Sequence, residues 1–530
     1  MARTSALDAI VPELIRSALL YASEEMGIAV RNSAYSPNIK ERLDHSCALF
    51  DARGRLIAQA EHIPVHLGSL PWGLKRTLGE IERRATLQPG QMWMVNDPYI
   101  SGTHLNDVTV VRPIFRDASL VGFAANKAHH TDVGGSVPGS ISADAYDLFA
   151  EGLVVPPSLL VENDRIVRAA VEWLASNSRT PAARAGDLRA QVAGNFTGER
   201  RLLEVFDGYG TAAFEASIER ILDASEVRLR ARLAEFGEGA FTCTDFLEDR
   251  SGTPSLRLTV SVRLKDGRAH FDYTGTSKQV NAPLNAVYGV TLSGVHYAVR
   301  ALTDATIPMN EGCFRPISVH APEGTLLNPT RPAPVGGGNV ETSMRNADLI
   351  LQAFAKAAPQ RVPACSGGTM SNVMLGGTSS DGVSWAFYET NGCGMGARPG
   401  SDGLHAVHAH MTNTLNTPIE AIERYFPLRV TRYEFADHTG GEGRYRGGDG
   451  LIRALQLTSG SGRCSLLSDR HRIAPPGALG GGDGSCGQHH IIHAGVCSSL
   501  PAKTTVDLQA NDAVEIQTPG GGGYGAPAAN

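Results

Sequence analysis

The sequence predicts an α+β protein of several domains, and three observations support that class. At 530 residues the chain is too long for a single hydrophobic core. Its N-terminal part opens with helical periodicity and continues with pairs of short apolar runs around polar turns, the pattern of β-hairpins. Its C-terminal half is β-rich and very heavy in glycine. We expect an N-terminal domain of helix and β-hairpins, followed by a glycine-rich, β-heavy second half.

The elements follow in chain order from these patterns. Periodicity predicts helices over residues 8–33, 67–87, 202–236, 292–302 and 346–357. Strand patterns cover 256–264 and 270–273, residues 136–160 look irregular, and the chain is β-rich after about residue 376. Glycine runs in this last part indicate tight turns and close backbone approach rather than flexibility. We place the domains at 1–205 (the metal-site domain argued below), 206–330 (α+β) and 331–530 (glycine-rich and β-rich).

Composition excludes several classes of function. Apolar residues make up 42% and charged residues 19%, as in an ordinary globular protein. A net charge of −6 without a basic block argues against binding nucleic acid or an anionic membrane surface. No apolar run approaches the ~20 residues of a membrane span, and the N-terminal pattern is not that of a signal peptide. Eight cysteines without a Cys-x-x-Cys pair indicate reduced thiols, so we expect a cytoplasmic protein.

One predicted hairpin carries the most informative side chains. Two apolar runs flank the polar turn 116–119, with His104 and Asp107 before the first run and His129 after the second. Folded symmetrically about that turn, position 129 lands opposite 106, beside both other side chains. Two imidazoles and a carboxylate with room for water are the usual plan of a catalytic metal centre. Taken singly, each half is more often a cap or a loop hydrogen-bonding group, and Pro113 suits an edge strand or a bulge.

A second predicted hairpin points to the same place. Two short apolar runs flank Asp51-Ala52-Arg53-Gly54, whose first and fourth residues suit a type I turn. Pairing about this turn puts Asp44 opposite Glu61, with His45 and His62 alongside. Asp44 is therefore a candidate fourth ligand, or a carboxylate that orients a ligating histidine. A solvated Asp-His pair at the start of a strand is an equally good interpretation of these residues.

Nucleotide-binding motifs are missing from the sequence. There is no Gly-x-x-x-x-Gly-Lys-Ser/Thr, and no Gly-x-Gly-x-x-Gly between a strand and a helix. The runs 336–339 and 518–521 have backbone N–H groups that could bind an anion, but loop geometry explains both. If ATP is used, we expect another polypeptide to bind it.

Characteristic segments run nearly from one end of the chain to the other. They are residues 44–46, 62–69, 96–107, 129–135, 151–153, 272–277, 388–390, 402–403, 408–410, 413–420, 440–448 and 518–525. In this order they resemble the hydantoinase B/oxoprolinase family, the metal-bearing subunit of ATP-dependent cyclic-amide hydrolases, which is related to acetone carboxylase subunits. The resemblance is specific for the family and much less so for the substrate.

The resemblance implies a metal site and a partner. It implies that His104, Asp107 and His129 ligate a divalent metal (Zn, Mn or Fe), with Asp44 as a further ligand or close neighbour. It also implies a hetero-oligomer with an actin-like ATPase of the hydantoinase A type, which binds the ATP and phosphorylates the amide oxygen. Water on the metal would then open a hydantoin, N-methylhydantoin or 5-oxoproline ring, so we expect an ATP-dependent cyclic amidase.

Three further side chains are candidates for catalysis. Asp44, His130 and Asp132 are possible bases or groups that orient a ligand, because a ligating imidazole usually donates its other N–H to a carboxylate. Loop hydrogen bonding explains His130 and Asp132 equally well. Other histidines in the family-like segments are expected to be structural; these are His66, His408 and His410.

Other functions fit the same sequence. The runner-up is the metal-bearing subunit of an ATP-dependent acetone or ketone carboxylase, and the ligand types do not separate the two. A non-catalytic scaffold for an ATPase has no need of an intact ligand set. A purely structural metal is disfavoured by the open water position.

Overall fold

The computed structural model describes residues 6–60 and 62–527. The helices are α1 (Ala6–Ser33), α2 (Pro37–Lys40), α3 (His66–Glu82), α4 (Pro98–Ser101), α5 (Arg168–Ser176), α6 (Pro181–Tyr209), α7 (Thr211–Ala234), α8 (Tyr288–Leu302), α9 (Ser343–Ala355) and α10 (Ile419–Tyr425). The helices predicted near the N-terminus, at 67–87, at 292–302 and at 346–357 are therefore present. The prediction of one helix over 202–236 is wrong, because Gly210 adopts φ +76° and separates α6 from α7.

The N-terminal sheet carries the hairpin of interest. Its strands are β1 (His45–Asp51), β2 (Leu56–Gln59), β3 (Met92–Val95), β4 (Asp107–Arg116), β5 (Ser119–His129), β6 (Ser158–Glu162) and β7 (Arg165–Ile166). They lie in the order β2-β1-β5-β4-β3-β6-β7. Apolar residues of α1 and α6 cover one face of this sheet and residues of α3 cover the other.

The hairpin of β4 and β5 lies in the middle of the sheet rather than at its edge. Pro113 is tolerated there because it pairs only with Phe123 of β5. The pairing between β3 and β4 ends at Val111. No strand therefore pairs with Pro113 on the β3 side, and the missing backbone N–H of proline leaves no acceptor without a donor there. The two residues at the open end of this hairpin, Asp107 and His129, are buried.

The middle of the chain forms a second sheet with its own helices. Its strands are β8 (Gly239–Leu247), β9 (Leu256–Lys265), β10 (Arg268–Asp272) and β11 (Ile317–His320), in the order β11-β10-β9-β8. Both predicted strands are present as β9 and β10. Helix α9 packs on β8 and β9, and α8 lies between α9 and α3. This packing joins the second sheet to the helix that covers the first.

The C-terminal part is β-rich, as predicted. Its strands are β12 (Asn372–Thr378), β13 (Ser384–Glu389), β14 (Leu428–Ala436), β15 (Gly450–Leu457), β16 (Ser461–Leu467), β17 (Gln488–His493), β18 (Val496–Leu500), β19 (Lys503–Gln509) and β20 (Ala513–Gln517). They form the sheets β13-β12-β16-β19 and β14-β15-β20-β17-β18. The two sheets share one apolar core.

The glycine runs pack backbone against backbone. Gly521 N donates to Gly448 O at 2.9 Å, and Gly441 N donates to Gly521 O at 2.8 Å. A Cβ atom at Gly447 would lie 1.9 Å from Gly521 O, which leaves no space for a side chain. The prediction of close backbone approach is confirmed here.

The predicted fold class is confirmed, since helices and several sheets with separate cores form a multi-domain α+β chain. The boundaries proposed at 205 and 330 stay a prediction. No helix among the described residues combines the length and apolar character that a membrane span requires.

Candidate metal centre

The hairpin of β4 and β5 brings the three predicted ligands together. Asp107, the first residue of β4, pairs directly with His129, the last residue of β5. The predicted register, with position 129 opposite 106, is wrong by one residue. It holds near the turn, but a β-bulge follows, where Ile114 pairs with Gly122 and the ladder skips Val121.

Three donor atoms converge in this corner. Asp107 Oδ1 and His129 Nδ1 each lie 3.2 Å from His104 Nε2, and they lie 3.5 Å from each other. All three side chains are buried, with at most 3% exposed. Ligands at about 2.1 Å from a tetrahedral divalent metal lie about 3.4 Å apart. The chemistry and spacing of these atoms therefore fit a divalent ion, and among the described residues this is the group of acidic, His or Cys side chains with such spacing.

The electrostatics of the corner favour the protonation states that metal binding requires. Burial raises the pKa of Asp107, but the charge and hydrogen bonds of His104, His129 and His66 outweigh burial and hold this pKa well below its usual range. Burial also lowers the pKa of His129 below 6.5, against the opposing charges of Asp44 and Asp107. At neutral pH Asp107 is thus a carboxylate and His129 a neutral imidazole.

Asp44 lies near the three donor atoms but farther out. Its Oδ2 is 3.9 Å from His129 Nδ1 and 3.9 Å from Arg42 Nη1. Its backbone oxygen accepts a hydrogen bond from His129 N at 3.0 Å, which fixes the two strands' ends together. Asp44 therefore lies beside the three donor atoms without being part of the tight group.

The second hairpin forms with a register that differs from the prediction. Ala48 pairs with Gln59 rather than with residue 57, because a bulge between Leu49 and Phe50 adds to a longer turn. Glu61, the predicted partner of Asp44, lies outside the described residues. The other expectation is confirmed: the rings of His45 and His62 lie side by side, with centroids 5.0 Å apart.

His66 belongs to the site, although the sequence analysis expected it to be structural. It is the first residue of α3, and its Nε2 donates to Asp107 Oδ2 at 3.3 Å. Ser46 Oγ accepts a hydrogen bond from Ile63 N and lies 2.8 Å from His66 Nδ1. Because the Asp107 carboxylate can only accept, Nε2 of His66 carries the proton, and in the neutral ring Nδ1 then accepts a hydrogen bond from Ser46 Oγ. These hydrogen bonds engage Oδ2 of Asp107 and leave Oδ1 turned toward His104 Nε2 and His129 Nδ1.

Tyr388 was also missed as a site residue, although its segment was among the family-like ones. Its ring stacks on the ring of His129, with centroids 4.5 Å apart and planes at 9°. Its hydroxyl donates to Asn372 Oδ1 at 3.0 Å. The expected carboxylate behind a ligating histidine is not found among the described residues, since His104 Nδ1 and His129 Nε2 have no hydrogen-bond partner there. Stacking by Tyr388 fixes the plane of His129 instead.

His130 and Asp132 point away from the three donor atoms. His130 Nε2 lies 2.9 Å from Gln191 Oε1, and burial lowers the pKa of His130 to about 3. The carboxylate of Asp132 accepts hydrogen bonds from its own loop and from Arg179, among them Gly139 N and Arg179 N. These contacts match the loop-bonding alternative for both residues.

Two other expectations concern loops and histidines. The backbone N–H groups of Val335 and Gly336 donate to the buried carboxylate of Glu151, so part of the 336–339 run is already occupied. His410 Nε2 lies 2.9 Å from Asp348 Oδ1, and His408 Nε2 lies 3.4 Å from Asn416 Oδ1. Neither Asp348 nor Asn416 lines the cavity beside the three donor atoms, as expected if both histidines are structural.

A small cavity adjoins the donor atoms. It leaves about 20 Å³ for the centres of water-sized molecules, which is room for about one water. Its walls come from two separate parts of the chain, residues 42–129 and 339–414. They are Arg42, Asp44, Ile63, Val65, His66, His104, Asp107, His129, Asn339, Val340, Met370, Tyr388, Thr390, Met411, Thr412 and Thr414. The half of the wall beyond residue 330 had no signal in hairpin geometry, because only tertiary packing brings it there.

Comparison with known sequences identifies relatives along the whole chain. The profile described as hydantoinase B/oxoprolinase matches residues 8–527. An uncharacterized protein of Methanocaldococcus jannaschii is 45% identical over 98% of this chain and 91% of its own length. A 5-oxoprolinase of Dictyostelium discoideum is 33% identical over 98% of this chain, which spans only 41% of that protein. A putative D-/L-hydantoinase subunit of Pseudomonas sp. (strain NS671) is 33% identical over 98% of this chain and 90% of its own length.

Comparison with solved structures gives the same picture of the fold. The ATP-dependent caprolactamase of Pseudomonas jessenii superposes with a TM-score of 0.92 and 29% identity, over 99% of this chain and 93% of that one. A nucleotide-free acetone carboxylase superposes with a TM-score of 0.89, over 98% of this chain and 76% of that one. At 18% identity the second likeness shows the fold alone.

Proposed function

Because the chain belongs to the hydantoinase B/oxoprolinase family, we propose that it is the metal-bearing hydrolase subunit of an ATP-dependent cyclic amidase. The convergence of His104 Nε2, Asp107 Oδ1 and His129 Nδ1 within 3.5 Å of one another carries this proposal. The names of relatives support cyclic amides as the substrate class in general. For this chain we propose a hydantoin, an N-methylhydantoin or 5-oxoproline.

The proposed roles of the residues follow from their contacts. His104, Asp107 and His129 hold the ion, for which Zn, Mn and Fe suit the donor types. A bound divalent ion would supply a polarising charge and lower the pKa of a water from about 15.7 to about 7. His66 keeps the carboxylate of Asp107 turned toward the ion through its bond to Oδ2. The Oδ2 atom of Asp44 lies 3.9 Å from His129 Nδ1, beside the ligand atoms. Asp44 is the proposed base that accepts a proton from the attacking water.

For the two remaining candidates we propose a supporting role in place of direct catalysis. Asp132 binds backbone N–H groups of its own loop, and His130 bonds to Gln191. His130 N also donates to Asn106 O at 2.8 Å, beside the hairpin's open end. Both residues thereby hold the segment that follows His129 in place.

We propose that a separate ATPase activates the substrate. The Dictyostelium relative is more than twice as long as the matched region, and the Pseudomonas sp. relative is named as one subunit of an enzyme. A partner of the hydantoinase A type, actin-like and ATP-binding, would fill this role in a hetero-oligomer. It would phosphorylate the amide oxygen, which makes the amide carbon electrophilic. Water would add to this carbon, the C–N bond would break with the ring nitrogen leaving as an amine, and hydrolysis of the resulting acyl phosphate would release phosphate.

A second candidate is the metal-bearing subunit of an ATP-dependent acetone or ketone carboxylase. The sequence resemblance relates the family to acetone carboxylase subunits, and the same donor set suits that chemistry. The substrate assay described next separates the two functions.

The test combines the purified chain, its ATPase partner and ATP with a hydantoin, 5-oxoproline, or acetone plus bicarbonate. We expect ring opening of one cyclic amide in the wild type, and loss of both product and metal in His104→Ala. His493→Ala is the matched control, because His493 also pairs with an aspartate, Asp512, but 66% of its side chain is exposed. Full product formation by His104→Ala would refute the proposal, and carboxylation of acetone would select the second candidate.

A further inference from the structure

Arg42 is a buried cation in the wall of the metal-site cavity. Its side chain is 0% exposed, and it lines the same cavity as His104, Asp107 and His129. The next residue, Leu43, adopts φ +60°, a conformation that costs a non-glycine residue free energy and is common at functional sites. This kink places both Arg42 and Asp44 on the cavity wall. No pattern in the sequence pointed to Arg42.

The hydrogen-bond acceptors of Arg42 are all neutral groups, and its nearest carboxylate is at ion-pair rather than hydrogen-bond distance. Nη2 donates to Thr390 Oγ1 at 2.9 Å and to Thr414 Oγ1 at 3.2 Å. Nη1 donates to Asn38 Oδ1 and, at 3.4 Å, to Tyr388 O, and the guanidinium lies over the Tyr388 ring at 4.8 Å from its centroid. Nε has no hydrogen-bond partner among the described residues. The carboxylate of Asp44 is 3.9 Å away, beyond hydrogen-bond distance.

Another buried arginine, Arg345, has a carboxylate at hydrogen-bond distance. Arg345 is also 0% exposed, but its Nη2 lies 2.8 Å from the carboxylate of Asp469. A buried guanidinium without such a partner costs free energy unless a ligand supplies the negative charge. Arg42 therefore has one free N–H donor and no carboxylate at hydrogen-bond distance.

The charges of the cavity point to the same kind of ligand. Arg42 contributes one positive charge to the wall, and Asp44 and Asp107 contribute two negative ones. A divalent ion held as proposed above would turn this balance into one net positive charge. The loaded cavity would then attract an anion rather than a neutral molecule.

We propose that Arg42 binds the phosphoryl oxygens of the activated substrate beside the metal ligands. This inference rests on the proposed function, in which the amide reaches the site as a phosphorylated anion. A guanidinium is suited to this ligand because its planar N–H groups match the spacing of phosphate oxygens. Arg42 would then hold the phosphoryl group in place while the water attacks and the ring opens.

Entry of such a substrate requires one wall of the cavity to move, since the space present holds about one water. Thr412 and Thr414 belong to an irregular segment that precedes α10. Asn413 Nδ2 donates to His62 O at 3.1 Å, and Leu415 N donates to Arg42 O at 3.1 Å. Displacement of this segment would remove Thr414 from Arg42 and leave Nη2–H beside the free Nε–H, the pair that binds two phosphate oxygens.

The test compares Arg42→Gln with the wild type in two measurements on the purified chain. Inorganic phosphate is titrated in a calorimeter, and bound metal is counted by elemental analysis. We expect phosphate to bind the variant at least about tenfold more weakly, because a charge-assisted hydrogen bond is lost. Metal content should stay at the wild-type level. Lys40→Gln is the matched control: it removes one charge from an exposed side chain of α2, and phosphate affinity should not change.

The outcomes separate this inference from the proposed function. Equal phosphate affinity in Arg42→Gln and the wild type overturns the role of Arg42, as does a wild type that binds no phosphate. If Arg42→Gln does not fold, Arg42→Lys decides, because it keeps the charge but lacks the planar pair of donors. Phosphate should bind that variant more weakly too, and wild-type affinity overturns the role. A wild type without metal refutes the proposed function and the role of Arg42 with it, because the cavity without a divalent ion carries a net negative charge. A wild type with metal whose phosphate affinity equals that of Arg42→Gln refutes the role of Arg42 alone.

Discussion

Removal of His66 should weaken the metal site without abolishing it. In His66→Ala, Asp107 Oδ2 loses its hydrogen bond from Nε2, which spans 3.3 Å between side chains that are each 1% exposed. Such a charge-assisted hydrogen bond is worth roughly 1.5–3 kcal/mol. At about 1.4 kcal/mol for each tenfold change, this predicts a loss of about 10- to 100-fold in metal affinity. Removal of partners that orient metal ligands typically costs the same.

The assay is competition with a chelating dye for Zn²⁺ or Mn²⁺ on purified protein. His296→Ala is the matched control, because His296 is also buried but lines a separate apolar cavity. Its metal affinity should equal that of the wild type. A loss in His66→Ala as complete as in His104→Ala would make His66 a ligand. An unchanged affinity would remove His66 from the site.

Two further predictions concern stability. Gly447→Ala should lower the free energy of unfolding by about 1–3 kcal/mol or more, because its Cβ would lie 1.9 Å from Gly521 O. Gly79→Ala in α3 should raise the free energy of unfolding by about 0.5–1 kcal/mol, because nothing lies within 4 Å of the added Cβ. Urea unfolding of both variants measures the two effects. An equal effect of the two changes would contradict the backbone packing. Burial lowers the pKa of His296 to about 3, so the folded protein keeps this side chain neutral. The stability it contributes is complete above about pH 6.5 and falls as the pH drops toward 3, by about 2 kcal/mol at pH 5. Urea midpoints at pH 7 and pH 5 should therefore differ less in His296→Ala than in the wild type, and an equal difference would contradict the assignment.

Local patterns predicted the hairpin of the site but not its register. The apolar runs, the turn and the ends of β4 and β5 were visible in the sequence. The β-bulge that skips Val121 was not, because nothing in the residue types separates a bulge from a continued ladder. The error was harmless, since a shift of one residue moved His129 from beside Asp107 to opposite it.

Long-range packing decided the rest of the site. His66 reaches Asp107 only because α3 packs across the sheet, and Tyr388 comes from β13, more than 250 residues after His129. Both belong to segments that resemble the family, which was the available signal. Arg42 does not belong to a segment that resembles the family. Its buried position depends on Thr390 and Thr414, which follow it by 348 and 372 residues in the sequence. Periodicity and turn chemistry carry no information about contacts of this kind.

The central claim is that His104, Asp107 and His129 hold a divalent metal, and X-ray absorption on the purified chain tests it most directly. The separations of 3.2–3.5 Å between donor atoms predict one metal with N and O ligands at about 2.0–2.2 Å. Two imidazoles should coordinate the metal in the wild type. In His129→Ala, one imidazole should coordinate any metal that the variant retains. A wild-type chain without metal, or the same number of imidazoles on the metal in both proteins, would contradict the claim.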